Sequence, residues 1–445
     1  MRHITVVVLV LSSFAFLCSF PAPVLPANIV KIGNPGLEQF PRNDTDDCYA
    51  RAVWDMQYYN GSIYVGVGDY ERNRGPIDVW SFDAYSYFKK EYTVDEEKVS
   101  IFRNYDGKLF IPGMDTTETR YGNLYIKEGD TWEKLGTIFG AFHVWDVAVF
   151  EGNIYVIMNT PGRSVVMEST DIGHSWQSLI TATWANTEFF YGMVSLGDSL
   201  AILGTTSIWR DCVYRYMNGN VEKSVISNSS ELQNTWNPYR LIGFRDGLLY
   251  IGGYAAAYAQ QESSLLFWSD PSSGVVTAIE KFEGKNIRDI IAQDSICYVL
   301  TASEMDDAFQ GAIYSSSDLE NWVEVAVFPT PALPYSFELL DGTFYVGLGN
   351  RSPREGFADT ESGSIYRINQ DESSPIVNLD PPPWDINKDG VINISDLALL
   401  SQHFGEHITT PLDPNPDAND DRKVDILDMI LVARHLGEIS LMAAN

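Results

Sequence analysis

One short phrase recurs along most of this chain, and it leaves few architectures open. A turn pair is followed by one residue and then an apolar strand with an aromatic near its centre. It reads Asn60-Gly61-Ser62-Ile63-Tyr64-Val65, and returns from Asp106-Gly107, Glu151-Gly152, Gly197-Asp198, Asp246-Gly247, Asp294-Ser295 and Asp341-Gly342. Successive starts lie 45 to 49 residues apart. Asn-Gly and Asp-Gly pairs accept positive φ and so close tight hairpins. The residues before each pair (54–58, 147–150, 240–244) form one strand and those after it the next. A third strand follows in most units (123–126, 165–167, 212–216, 312–314). A fourth often starts at a tryptophan, as at Trp132, Trp176 and Trp322.

Four strands per unit, seven units and a period in the forties predict a seven-bladed β-propeller over residues 28–370. The seventh unit shows three strands, ending near Ile368, whereas residues 28–32 supply a spare strand at the other end. That strand is expected to close the ring and remove an exposed edge. Ser169-x-Asp171-x-Gly173-x-x-Trp176 matches the Asp-box of sialidase-like propellers, and the stretch from Ser315 to Trp322 resembles a shortened copy. The resemblance implies a turn between third and fourth strands and says nothing about catalysis.

A second duplication lies near the C-terminus. Asp385-x-Asn387-x-Asp389-Gly390-x-x-Asn393-x-x-Asp396 is repeated 32 residues later as Asp417-x-Asn419-x-Asp421-x-x-x-Asp425-x-x-Asp428. Oxygen side chains at positions 1, 3, 5, 9 and 12 of a twelve-residue loop suit a hard cation of high coordination number, most often Ca²⁺. Each loop is followed by an apolar run, and the copies end alike, at His403-Phe404-Gly405-Glu406 and His435-Leu436-Gly437-Glu438. With Asp at position 12, residues 384–438 resemble a type I dockerin, a small all-α, EF-hand-like module that plugs its host into a cohesin domain. The resemblance implies two Ca²⁺ ions. The first would be held by Asp385, Asn387, Asp389, the Val391 carbonyl, Asn393 and Asp396. The second would be held by Asp417, Asn419, Asp421, the Lys423 carbonyl, Asp425 and Asp428. It also implies partner contacts at loop positions 10 and 11, here Ile394, Ser395, Ile426 and Leu427. One departure stands out: Arg422 occupies the sixth position, where a sharp turn favours glycine.

The ends and the composition complete the organisation. Residues 1–27 read as a secretory signal peptide, with a basic start and a short apolar core, so the mature chain is expected to be extracellular, free or held at a surface through its cohesin partner. A formal charge of −30 argues against a nucleic-acid partner. No other segment is long and apolar enough to span a bilayer. Cys48, Cys212 and Cys297 remain after signal removal, too few for a disulfide scaffold, with a Cys48–Cys212 bridge left open. The acidic, Pro-rich segment 371–383 is expected to be an extended linker that holds the two domains apart. Residues 439–445 form a tail.

Propeller ligands usually sit at the mouth of the central channel. Candidates there are Trp54, Asp55, Tyr70, Arg72 and Trp145 for binding, and Asp69, Asp115, His143 and Asp146 for acid–base chemistry. The same polar residues would equally well cap blade turns. No Arg-Ile-Pro motif and no arginine triad is visible, which excludes sialidase chemistry. Three roles stay open: a carbohydrate or glycoprotein binder in polysaccharide breakdown, a glycoside hydrolase or polysaccharide lyase, and a structural protein-interaction propeller.

Overall fold

The computed structural model describes residues 27–440 apart from 70, 71, 73, 117–120, 184–187, 206–210, 226–239, 253–264, 274, 283–284, 307, 352–355, 370–380, 409–411 and 413. Residues 1–26, where a signal peptide is expected, Tyr70, most of segment 371–383 and most of segment 439–445 therefore lie outside the described residues.

The chain folds mainly as β-structure, in seven antiparallel sheets that are the seven blades of a propeller. The inner strands are Asp55–Tyr59, Arg103–Tyr105, His143–Phe150, Phe189–Leu196, Arg240–Phe244, Asn286–Gln293 and Leu333–Leu340. Each pairs with the strand after its turn, and the sheets then run outward in chain order. The seventh blade is completed by Asn28–Gly33, which pairs antiparallel with Ile365–Asn369 in the register Asn28↔Asn369 to Lys31↔Tyr366. The strand Asn28–Gly33 thus closes the ring, as expected.

The turn chemistry accounts for the hairpins. Asn60 and Gly61 take φ of 48° and 83°, and Asp341 and Gly342 take 50° and 76°. One turn is displaced from its sequence reading. In blade 5 the turn residues are Arg245 and Asp246, both at positive φ, and Gly247 already pairs with Phe244. The glycine is needed there for space, because a Cβ at Gly247 would lie 2.5 Å from the Trp268 indole nitrogen. The recurring aromatic of the second strands packs between blades. Tyr64, Tyr155, Tyr250 and Tyr345 are all buried. Tyr155 meets Tyr216 of blade 4 at 5.8 Å, and Tyr345 meets Phe82 of blade 1 at 5.1 Å.

Two sheets carry more than four strands. Glu96–Lys98 and Met114–Thr116 extend the inner edge of blade 3, and Ile439–Ser440 adds a fifth strand to the outer edge of blade 1. Among the described residues the C-terminal module has two helices, Ile394–Ser401 and Ile426–Arg434, each opened by a capping box, at Asn393/Asp396 and Asp425/Asp428. Its core of Ile386, Ile392, Leu400, Ala418, Val424 and Val432 includes Tyr87 of blade 1. The module is packed against the propeller, which corrects the expectation of two domains held apart: a composition-based reading of the linker could not anticipate a strand pairing across it. Cys48, Cys212 and Cys297 are buried and none is in a disulfide, so no Cys48–Cys212 bridge forms.

Candidate functional site

The two C-terminal loops are near copies in three dimensions. Asp385 Oδ2 accepts from the Gly390 amide at 3.0 Å, and Asp417 Oδ2 accepts from the Arg422 amide at 2.7 Å. Asp396 accepts from the amides of Asn387 and Asn393, and Asp428 from those of Asn419 and Asp425. Gly390 and Arg422 both lie in the left-handed region, at φ of 81° and 69°. The arginine therefore carries a backbone conformation that costs an L-residue roughly 1–2 kcal/mol. Asp385, Asp396, Asp417 and Asp428 are buried, and Asp385 Oδ1 is a buried acceptor with no hydrogen-bond donor. Among the described residues no three His, Cys, Asp or Glu side chains converge on one point. The other side chains expected to hold the ion are the carboxylates of Asp389, Asp421 and Asp425 and the amides of Asn387, Asn393 and Asn419.

In the propeller, ion pairs cross the central channel. Arg103 grips both oxygens of Asp146, each at 2.8 Å. Arg240 pairs with Asp55 and Asp289, both at 2.9 Å. Each aspartate also reaches the next blade, at its inner strand or, for Asp55, at the residue just before it. Asp55 accepts from Phe102 N at 2.6 Å, Asp146 from Met193 N at 2.9 Å and Asp289 from Phe337 N at 3.1 Å. Glu338 closes the circle by accepting from Tyr58 N at 2.8 Å. Burial pushes the Asp55 carboxyl up against the pull of Arg240, and pushes Asp289 up to about 7 and Glu338 to about 8. Asp55, Arg103, Arg240, Asp289 and Glu338 themselves line a cavity of about 300 Å³, together with Gln57, Asn104 and Gln293. Asp55 and Asp146, read as ligand or acid–base candidates, thus fasten blade to blade. The sequence held a signal for this: Asp55, Asp146 and Asp289 each stand five residues before a turn pair, the same position in three copies of the repeat.

Six other candidates lie over blades 1 to 3, at the end where the inner strands begin. Trp54 is buried, donates from its indole to Gly68 O at 2.8 Å and packs between Tyr49 and Tyr335. It is no exposed platform for a ring, but Lys98 Nζ lies 4.2 Å from its centroid. Asp69 is buried beside this pair, and its amide donates to Glu97 O at 2.8 Å. Asp115, at φ 54°, lies across the paired strands from Glu97, with its Oδ1 3.0 Å from His143 Nδ1. That approach lacks hydrogen-bond alignment, since His143 Nδ1 has no hydrogen-bond partner. Arg72 stands exposed and pairs with Asp46 at 3.5 Å. Trp145 is half-buried and tilts over His143 at 5.1 Å, while Phe142 is exposed on its other side.

Glu97 and Lys98, absent from the sequence reading, sit at the centre of this cluster. Burial first and Asp115 second push the Glu97 carboxyl up to about 9, and burial pulls the Lys98 amine down to about 8 despite Glu97. A carboxyl raised from 4.5 to about 9 in the fold stays protonated where the unfolded chain has already ionised, so its contribution to stability is lost as pH climbs through that interval. The unfolding midpoint should fall as pH rises from about 4.5 to about 9. Glu97→Gln should flatten the upper part of that slope. Thermal scans at fixed ionic strength and calcium check this, and parallel slopes for the two proteins would contradict it.

Residues 383–437 match the dockerin type I domain. This segment is a type I dockerin. No curated protein matches the chain. Among solved structures, a protein from Lactobacillus plantarum is similar at 14% identity and a TM-score of 0.45, over 66% of this chain and 93% of that one. The β-propeller domain of the Trilobed protease from Pyrococcus furiosus is similar at 10% identity and 0.42, over 67% and 91%. A prolyl endopeptidase is similar at 11% identity and 0.41, over 71% of this chain, which spans only 49% of that protein. None of these likenesses bears on activity.

A dockerin docks its host onto a cohesin, and dockerins generally bind calcium. The loops here fit such an ion. Asp385 Oδ1 is an acceptor awaiting a partner, and both position-12 aspartates are pre-set by two backbone amides each. Ile394, Ile426 and Leu427 are 73%, 56% and 54% exposed, a wasteful placement for large apolar side chains unless a partner covers them. Dockerin-bearing proteins are typically extracellular or at the cell surface. No helix of the described residues is long and apolar enough to cross a membrane.

Proposed function

We propose that this is a secreted, cohesin-docked propeller that binds carbohydrate in a polysaccharide-degrading assembly, through the cluster over blades 1 to 3. The dockerin carries the reading, since it places the propeller on a scaffold as one component of a larger assembly. The cluster supplies what sugar recognition needs. Phe142 offers an exposed ring, Trp145 an indole, and Asp115 and His143 polar groups at the surface beside them. One calcium ion sits in each dockerin loop, and Ile394, Ser395, Ile426 and Leu427 meet the cohesin.

A hydrolytic reading draws on Glu97, a carboxyl kept protonated at neutral pH beside Asp69 and Asp115. The usual glycosidase pair, however, stands about 5–9.5 Å apart across a substrate. Glu97 instead lies buried against its neighbour, which favours binding. A panel of glycans and polysaccharides offered to the full chain with calcium decides between them. Binding without product release, weakened at least about tenfold in Phe142→Ala and Asp115→Asn at unchanged melting temperature, is the expected result. Product release abolished by Glu97→Gln would establish an enzyme. No binding at all would leave the propeller a protein-interaction surface.

A further inference from the structure

The dockerin loops are alike internally but not in their surroundings. Position 1 of the first loop, Asp385, accepts through Oδ2 from the Tyr87 hydroxyl of blade 1 at 2.7 Å. Its counterpart Asp417 is served from within the dockerin, by the amides of Asp421 and Arg422. Position 7 shows the same asymmetry. Val391 bridges Ile439, and Ile439 in turn pairs with Phe88 of blade 1. The matching residue of the second loop, Lys423, bridges His407 inside the dockerin. Trp384, one residue before the first loop, stacks on His435 at 3.8 Å and meets Tyr85 of blade 1 edge-on at 5.4 Å.

We infer that the outer edge of blade 1 is a docking surface for the chain's own dockerin, and that Tyr87 is an outer-sphere group of the first calcium loop, so that calcium loading and closure of the two domains are coupled. The physics is that of a second shell. A hydroxyl donated to one oxygen of a ligating carboxylate fixes its rotamer and leaves the other, Oδ1, without a hydrogen-bond donor. Tyr87 is itself buried, so its hydroxyl needs the acceptor that Asp385 provides. A cation that orders Asp385 and the Val391 carbonyl thereby orders both attachments to blade 1. By linkage, the closed arrangement raises the affinity of the first loop and leaves the second alone. Closure also leaves the partner-facing residues free, as the exposure of Ile394, Ile426 and Leu427 shows. The assembly face and the intramolecular face are therefore different sides of one module.

The test is hydrogen exchange on the full chain, read by mass spectrometry with and without a calcium chelator, together with calcium titration of Tyr87→Phe. Chelation should speed exchange at least about tenfold in peptides covering the outer strand of blade 1, Tyr87–Val94, and leave the inner strands of all blades unchanged. Tyr87→Phe should weaken one of two calcium-binding events roughly tenfold and spare the other. Unchanged exchange in the blade 1 strand on chelation would overturn the inference, as would wild-type calcium binding by Tyr87→Phe. Neither readout involves a carbohydrate.

Discussion

Replacing Arg240 by leucine should destabilise the propeller by about 3–5 kcal/mol, the usual consequence of stripping one partner from a buried ion pair. Arg240 is 6% exposed and holds two carboxylates, Asp55 of blade 1 and Asp289 of blade 6. Its guanidinium also donates to the Trp54 carbonyl. Leucine matches part of the volume and none of the charge, so two buried aspartates would either ionise unpaired or take up protons. Both already sit above the ordinary carboxylate range through burial, and Arg240 is the largest influence holding them down. Their pKa values should rise further, so the damage should grow as pH rises through neutrality. Denaturant unfolding of the full chain at two pH values measures it. The triple variant with Asp55→Asn and Asp289→Asn should recover part of the loss. A loss below about 1 kcal/mol, or no recovery, would mean that the channel charges are solvated and do not stitch the blades.

Chelating calcium should abolish capture by a type I cohesin, at least about a hundredfold in affinity, while the propeller keeps its own unfolding transition. The dockerin is about fifty residues with a core of a few aliphatic side chains, too small to fold strongly without a staple. Each loop buries two aspartates, at positions 1 and 12, and Asp385 Oδ1 has no hydrogen-bond donor. Asp396→Ala should remove the ion proposed for the first loop and also half of a capping box, because Asp396 accepts from the Asn393 amide at 2.8 Å. Calorimetric titration gives the ion count, and a cohesin-coated surface gives the affinity. Cohesin capture that survives chelation would refute a calcium-dependent interface.

The regular parts of this molecule were legible because repetition multiplies a weak signal. A turn pair before one strand means little, but seven of them at a near-constant period specify blades. Two position-matched loops likewise identify the dockerin more firmly than either alone. The functional candidates were harder to read. Asp55 and Asp146 looked like channel-mouth carboxylates, yet each lies within reach of an arginine and an amide far along the chain. Trp54 looked like a platform and is buried under Lys98. Asp69, Asp115 and His143 do come together, but around Glu97 and Lys98, whose short strand pairs with Met114–Thr116 by a connection outside the repeat pattern.

The sequence alone determined the blade count, the strand that closes the ring and the identity of the C-terminal module, since these follow from local turn preference and from periodic side-chain chemistry. Tertiary structure alone decided which carboxylates fasten blades and which gather near the surface, because burial and ion pairing depend on neighbours tens or hundreds of residues away. It also decided that the dockerin rests on blade 1. That contact is made by two residues of strand, one hydroxyl and one indole, too few to leave a pattern in the sequence.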